Sequence, residues 1–390
     1  FNLGGSGTLN LSTGVARALT SLALSTGTLT GSDDITVSGA FDWTSSANLS
    51  GTGLFTTNGS STLNNAGGLT LNRDWDNAGT INWTGGSLFM NNVTLTNDGT
   101  MNLNGGLGFI FNGGTPIVSN SSTGIINVNS NFSTGASSIQ FDNAGAVNLD
   151  PLTGGAVTLT VGSTGTHTGT WDTGQADDVL SFNSSNSYSG GGISGAGNLQ
   201  FGGGTHDFNS GYSVVSTELT VNGGTVNFNN GSIYGFTSGT FNLGGSGTLN
   251  LSTGVARALA SLALSAGPLT GSVDITVSGA FDWTGSANLS GTGQLTTNGT
   301  STLNNAGGLT LNRNWDNAGT INWTGGSLFI NNVTLTNDGT MNLNGGLGFI
   351  FNGGTPVVSN SGTGIINVNS NFSTGTGSIQ FDNAGAVNLD

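Results

Sequence analysis

The chain has 390 residues, of which 34% are hydrophobic and only 6% charged, with 71 Gly, no Cys and a net charge of −15. Its only bases are Arg17, Arg73, Arg257 and Arg313, so it lacks the cations that neutralise nucleic-acid phosphates or hold an anionic membrane surface. Without Cys there is neither a disulfide framework nor a thiolate metal site. Gly and Pro together make about a fifth of the chain, short of the disordered range, and Asn, Thr and Ser alternate with apolar residues, which is strand composition with turn punctuation.

Phe1 opens inside a strand-like run and Asp390 falls in mid-pattern, without a signal peptide or transmembrane segment, as expected of a window cut from a longer chain. Residues 15–25 (VARALTSLALS) are rich in Ala and Leu and are the one stretch with helical propensity. They are too short for a stable isolated helix, so a strand is the preferred reading and a short helix or loop insert the second. From there a Gly recurs at Gly39, Gly59, Gly79 and Gly99, then at Gly124, Gly145 and Gly165, and again at Gly204 and Gly224. The unit from Gly79 to Leu103 shows the pattern most clearly: three short alternating runs, GTINWT, GGSLFMNN and VTLTND, before GTMNL restarts it.

This period of ~20 residues predicts an all-β parallel β-helix, a β-solenoid with about three short strands per turn. Ile81, Trp83, Met101, Leu103, Ile126, Val128, Val147 and Leu149 should face the core, with Leu88, Met90, Val93 and Leu95, while Asn82, Phe89 and Thr94 face out. Residues 173–198 break the period most and read as a protruding loop.

A longer period lies over the short one. Residues 1–150 return as 241–390 with 14 differences, so the domain plan is one continuous solenoid with a first long repeat at 1–240 and a truncated second copy at 241–390. About 12 turns per long repeat at ~4.8 Å each would advance roughly 58 Å, and the window about 90 Å. Leu54 becomes Gln294 beside Phe55 to Leu295, and Met90 to Ile330 and Ile117 to Val357 keep apolar volume, as strands with one buried face require. Asp33 to Val273 and Asp74 to Asn314 read as solvent positions.

Asn is the most specific chemical signal. Asn82, Asn102, Asn127 and Asn148, and Asn322, Asn342, Asn367 and Asn388 in the second copy, should stack on one outer face as a structural amide ladder. A second column runs through Asn77, Asn97 and Asn143 at the preceding corner. His167, Asp172, Asp177, Asp178, His206 and Asp207 form the only enzymatic candidate, a scattered acid–base set read chiefly as solvated loop residues. Asp33-Asp34 and Asp177-Asp178 are oxygen-rich turns of the calcium type, yet no tandem G-G-x-G-x-D nonapeptide accompanies them. Trp43, Trp75, Trp83 and Trp171 read as core, or as sugar-stacking platforms if exposed. No cofactor or metal is implied.

The runs LALSTGTLTG (22–31), LSGTGLFTTN (49–58) and NAGTINW (77–83) resemble the degenerate turns of bacterial autotransporter passengers, filamentous-haemagglutinin-like adhesins and giant β-strand-repeat surface proteins. The resemblance covers essentially the whole chain and implies a right-handed, pectin-lyase-like β-helix that is secreted and displayed at the cell surface. The expectation is a non-enzymatic repeat of an extracellular bacterial filament, stalk or sheath. It would associate with itself head to tail or by lateral packing. The alternative is a surface adhesin that binds glycans or host matrix through an exposed face.

Overall fold

A computed structural model describes residues 1–149, 154–235, 240–375 and 378–389. The chain divides into two compact units, Phe1–Leu199 with Gly211–Val215, and Gln200–Ser210 with Ser216–Asp390. Among the described residues every element is a β-strand, and the strands pair in parallel with strands one turn away. Each unit is a β-solenoid of ~20-residue turns.

In the first unit the strand Thr80–Asn91 shows how a turn is built. Its first part, Thr80–Trp83, pairs with Thr100–Leu103 of the next turn. The chain then bends through Thr84–Gly86, and Leu88–Met90 pairs with Phe109–Phe111 on a second sheet. Thr94–Asn97 pairs with Ile117–Asn120 on a third. The next turn begins at Thr100, so three faces enclose one core. Parallel strands have no tight hairpin to join them; here the rest of the coil is the crossover.

Period two decides what each face buries. Ile81, Trp83, Met101, Leu103, Ile126, Val128, Val147 and Leu149 are each at most 2% exposed. Each such side chain contributes roughly 1.5–3 kcal/mol by leaving water. Asn82, Phe89 and Thr94 are half-buried on the outside. Aromatic rings fill the wider parts of the core: Trp43, Phe41, Phe55 and Trp75 meet with centroids 4.8–6.2 Å apart. Trp83, Phe109 and Phe132 form another cluster at 5.2–5.5 Å.

The recurring Gly has a steric cause. A Cβ on Gly79 would lie 2.0 Å from the carbonyl oxygen of Gly59, and one on Gly99 the same distance from that of Gly79. Successive corners stack too closely there for any side chain.

The second unit repeats this build. Its three faces hold, in order along one turn, Thr320–Trp323 paired with Thr340–Leu343, Leu328–Ile330 with Phe349–Phe351, and Thr334–Asn337 with Val357–Asn360.

Three expectations are corrected. Residues 173–198 are not a protruding loop. They form the strands Val179–Phe182, Asn186–Tyr188 and Gly192–Ser194, leading into Asn198–Phe201. Leu180, Phe182, Tyr188 and Ile193 face the core and hold the segment in the coil despite its dense Ser, Gly and Asn. Asp33 is not a solvent position but is 3% exposed, and its replacement Val273 is 5% exposed. Ile117 lies half-exposed on the outer face rather than in the core, since Val118 takes the inward place. Residues 15–25 form two strands, Arg17–Leu19 and Leu22–Leu24, with a corner between them.

Candidate functional site

The chemistry on offer is a set of polar columns, built by parallel in-register pairing. Asn82 lies beside Asn102, Asn102 beside Asn127, and Asn127 beside Asn148. Each side-chain amide donates to the one before: Asn102 Nδ2 to Asn82 Oδ1 at 3.0 Å, Asn127 to Asn102 at 2.9 Å, and Asn148 to Asn127 at 3.1 Å. In the second unit Asn342 donates to Asn322 at 2.9 Å, Asn367 to Asn342 at 2.8 Å and Asn388 to Asn367 at 2.8 Å. This ladder is half-buried on the outer face over most of its length.

The second column lies inside. Asn77, Asn97, Asn120 and Asn143 are at most 1% exposed. Asn77 Nδ2 donates to Asn97 Oδ1, Asn97 to Asn120 and Asn120 to Asn143, each at 2.8 Å. The same Nδ2 groups reach corner carbonyls such as Gly99 O at 3.3 Å and Ile125 O at 3.1 Å from Asn97. Thr57 Oγ1 closes one end, donating to Asn77 Oδ1 at 3.2 Å while accepting from Trp75 Nε1 at 3.0 Å. A buried amide without partners is costly; stacking identical amides satisfies each with the next. Sequence reading placed three of these residues at a corner and missed Asn120. The signal was Asn two residues before the recurring Gly, which a longer corner at 121–123 hides for Asn120.

The candidate acids and imidazoles are dispersed and engaged. Asp178 Oδ1 accepts from Val157 N at 2.7 Å and its Oδ2 from Gln175 N at 2.8 Å. Asp172 Oδ1 accepts from Gly174 N at 2.9 Å, and Asp207 Oδ1 from Asn227 Nδ2 at 2.7 Å. Asp177 is exposed. His167 is fully buried among Phe141, Trp171, Phe182 and Tyr188, with Nε2 3.0 Å from Asn186 Oδ1. His206 is buried beside Gly203 O at 2.7 Å, and burial depresses its pKa to about 4, so the ring is neutral at pH 7.

Other acids cap amides one turn on. Asp34 Oδ1 accepts from Leu54 N, Asp74 Oδ1 from Thr94 N and Asp142 Oδ1 from Thr166 N, each at 2.8 Å. Asn314 keeps the role of Asp74, accepting from Thr334 N at 2.9 Å. Asp33 receives the amides of Thr13 and Gly14, both at 2.8 Å, and Thr13 Oγ1 at 2.7 Å. Burial alone would raise its pKa; these donors and Arg17, 3.6 Å away, outweigh it and hold the carboxyl below its ordinary value. Among the described residues no three His, Asp or Glu side chains form a metal-sized group.

Two buried cations escaped sequence reading. Arg73 is 1% exposed and donates to the carbonyls of Gly31, Gly53 and Asp33, clamping corners two turns deep. Arg313 does the same to Gly271, Val273 and Ser290, and burial lowers its pKa to about 10. All seven Trp are buried, so Trp43, Trp75, Trp83 and Trp171 offer no exposed sugar platform.

Comparison with models of protein families, with curated proteins and with solved structures gives no match. The β-solenoid is consistent with a pectin-lyase-like helix, and the reading of its role rests on the polar columns themselves.

Proposed function

We propose that the chain is a non-enzymatic structural repeat of an extracellular bacterial filament, stalk or sheath, acting through length and stiffness and associating with further copies of itself. The observation that carries this reading is the pair of amide ladders, one buried and one outside, recurring in both copies with the same partners. Solenoid stability is a sum over repeats and their interfaces. A ladder that links four successive turns in each copy raises the interfaces between them and resists fraying there. The acids support the same reading, because Asp34, Asp74, Asp142, Asp172 and Asp178 are spent on backbone amides. Surface display follows from the resemblance of the turns to bacterial surface proteins.

The test is electron microscopy of a recombinant chain carrying several 240-residue copies. Thin unbranched fibres with an axial repeat of roughly 58 Å, from about 12 turns at ~4.8 Å, are expected. Isolated globules without an axial repeat would refute the proposal.

A further inference from the structure

A groove recurs at one corner of each copy. In the first unit the corners between the second and third sheets differ in length: the short corners 73–74 and 92–93 lie between the longer corners 51–54 and 114–116. The recess between them is an open groove of about 490 Å³, floored by Asn72, Asp74, Asn91 and Asn92 and walled by Gly51 and Thr52. The equivalent groove in the second unit, about 380 Å³, has Asn312, Asn314, Asn331 and Asn332 with Gly291 and Thr292.

Its polar groups are unusually uncommitted. Asn72 Nδ2 donates to Asn48 Oδ1 at 3.0 Å, but Asn72 Oδ1 accepts nothing although it is buried, and Asn312 Oδ1 repeats this. Buried acceptors are nearly always satisfied, and the same orphan at the same place in both copies is systematic. Asn92 and Asn332 are the only non-glycine residues with left-handed backbone among those described, φ 51° and 50°. Each Oδ1 is held by the amide and hydroxyl of Thr115 or Thr355 at 3.1–3.3 Å, which leaves Nδ2 for another acceptor. The side chains of Asn91 and Asn331 bond to no described residue.

The character of these groups selects the ligand. What the two grooves share is neutral: amides and a hydroxyl, offering donors and acceptors together. A cation would keep the Asp74 carboxylate in one groove and lose it to Asn314 in the other. A uronate would meet Asp74 and a chain of net charge −15. The unbonded donor Arg73 Nη1 is likewise unshared, since Arg313 Nη1 donates to Val273 O at 3.2 Å. Sugar hydroxyls, each both donor and acceptor, match the shared set. We propose that this corner groove, present once in each copy, binds a neutral polysaccharide through Asn91, Asn92 and Thr52 and their counterparts. The site stands whether or not the chain forms fibres.

The test is affinity gel electrophoresis of the full chain through gels containing dextran, galactomannan, xyloglucan or hydroxyethylcellulose, with polygalacturonate as the charged control. Retardation by at least one neutral polymer is expected, with the apparent Kd weakened at least about tenfold in the double variant Asn91→Ala, Asn331→Ala. Those amides carry no internal hydrogen bond, so the fold should survive, as far-UV circular dichroism would report. The double variant Thr52→Ala, Thr292→Ala should weaken retardation too. No retardation by any neutral polymer, retardation by polygalacturonate alone, or retardation unchanged in both double variants would overturn the proposal.

Discussion

Residues 13–33 and their counterparts 253–273 fill one buried position in opposite ways. In the first copy Asp33 binds the Thr13 and Gly14 amides, with Arg17 alongside. In the second, Val273 takes the place, and Arg257 donates to Thr253 Oγ1 at 3.0 Å, as Arg17 does to Thr13 Oγ1, and lies 4.5 Å from the ring centroid of Tyr234 in the preceding turn. The lesson is that one position can hold a carboxylate where backbone amides and an arginine compensate it, or a hydrophobe that needs no compensation, because an uncompensated buried charge is what costs. The ladders teach the converse. No Asn of either column differs between the copies, since an amide that satisfies two neighbours cannot be altered alone.

The comparison can be broken at several points. The largest effect is expected in the inner ladder. Asn97→Ala, and separately Asn337→Ala, should each cost about 2–4 kcal/mol, from a small cavity and the neighbouring amides left unpaired. Denaturant melts of the two variants should agree closely; a cost below ~0.5 kcal/mol in either would show that the ladder is incidental. Next comes Val273→Asp, which buries a carboxylate where Arg257 is already engaged with Tyr234. It should destabilise by about 2–3 kcal/mol at pH 7 and by less in acid, where the carboxyl is neutral. The reverse exchange, Asp33→Val, should lower the melting temperature of the first copy by less, because a hydrophobe fits the site but strands the Thr13 and Gly14 amides.

Acid should separate the copies. The Asp33 pKa lies below its unfolded value, so its stabilisation is present above about pH 4 and is lost as pH falls through the lower, folded value. Asp76 and Asp316 behave oppositely in both copies: burial first, then the neighbouring carboxylates of Asp98 and Asp338, raise their pKa. Their protonated forms favour the fold, so that contribution is present in acid and is lost as pH rises through the raised value. Solvent screening keeps it small. Hydrogen exchange followed through peptides that differ between the copies should therefore show the turn around Asp33 loosening below pH 4 while the turn around Val273 does not. Asp76→Asn with Asp316→Asn should flatten the rise in stability between neutral pH and pH 4. The smallest effect is expected for Met90→Ile and Ile330→Met, volume-conserving exchanges that should each shift stability by less than about 1.5 kcal/mol.

Much of the solenoid was legible because its signals are local and repeated. Gly79 and Gly99 mark corners where backbones nearly touch, and alternation from Ile81 to Trp83 sets which side chains face inward. Residues 173–198 misled because turn residues dominate their composition, while the few apolar side chains that hold them in the coil are spaced irregularly. Asp33 misled because a polar-to-apolar exchange usually marks the surface, and only the proximity of Thr13, Gly14 and Arg17 shows why a carboxylate can be buried there. The groove at Asn72, Asn91 and Asn92 had no signal in the sequence beyond the lengths of four corners.

The sequence by itself determined the period, the parallel coil, the inward residues and the outer column at Asn82, because each follows from spacing along the chain and from the rule that stacked turns bury one another's apolar face. Only the tertiary structure decided that the column at Asn77 is buried and runs through Asn120, and that Arg73 and Arg313 clamp carbonyls in the interior. Those facts depend on which residues of different turns lie side by side. Corners of unequal length shift that register by a few residues at a time, and spacing along one turn does not carry the sum.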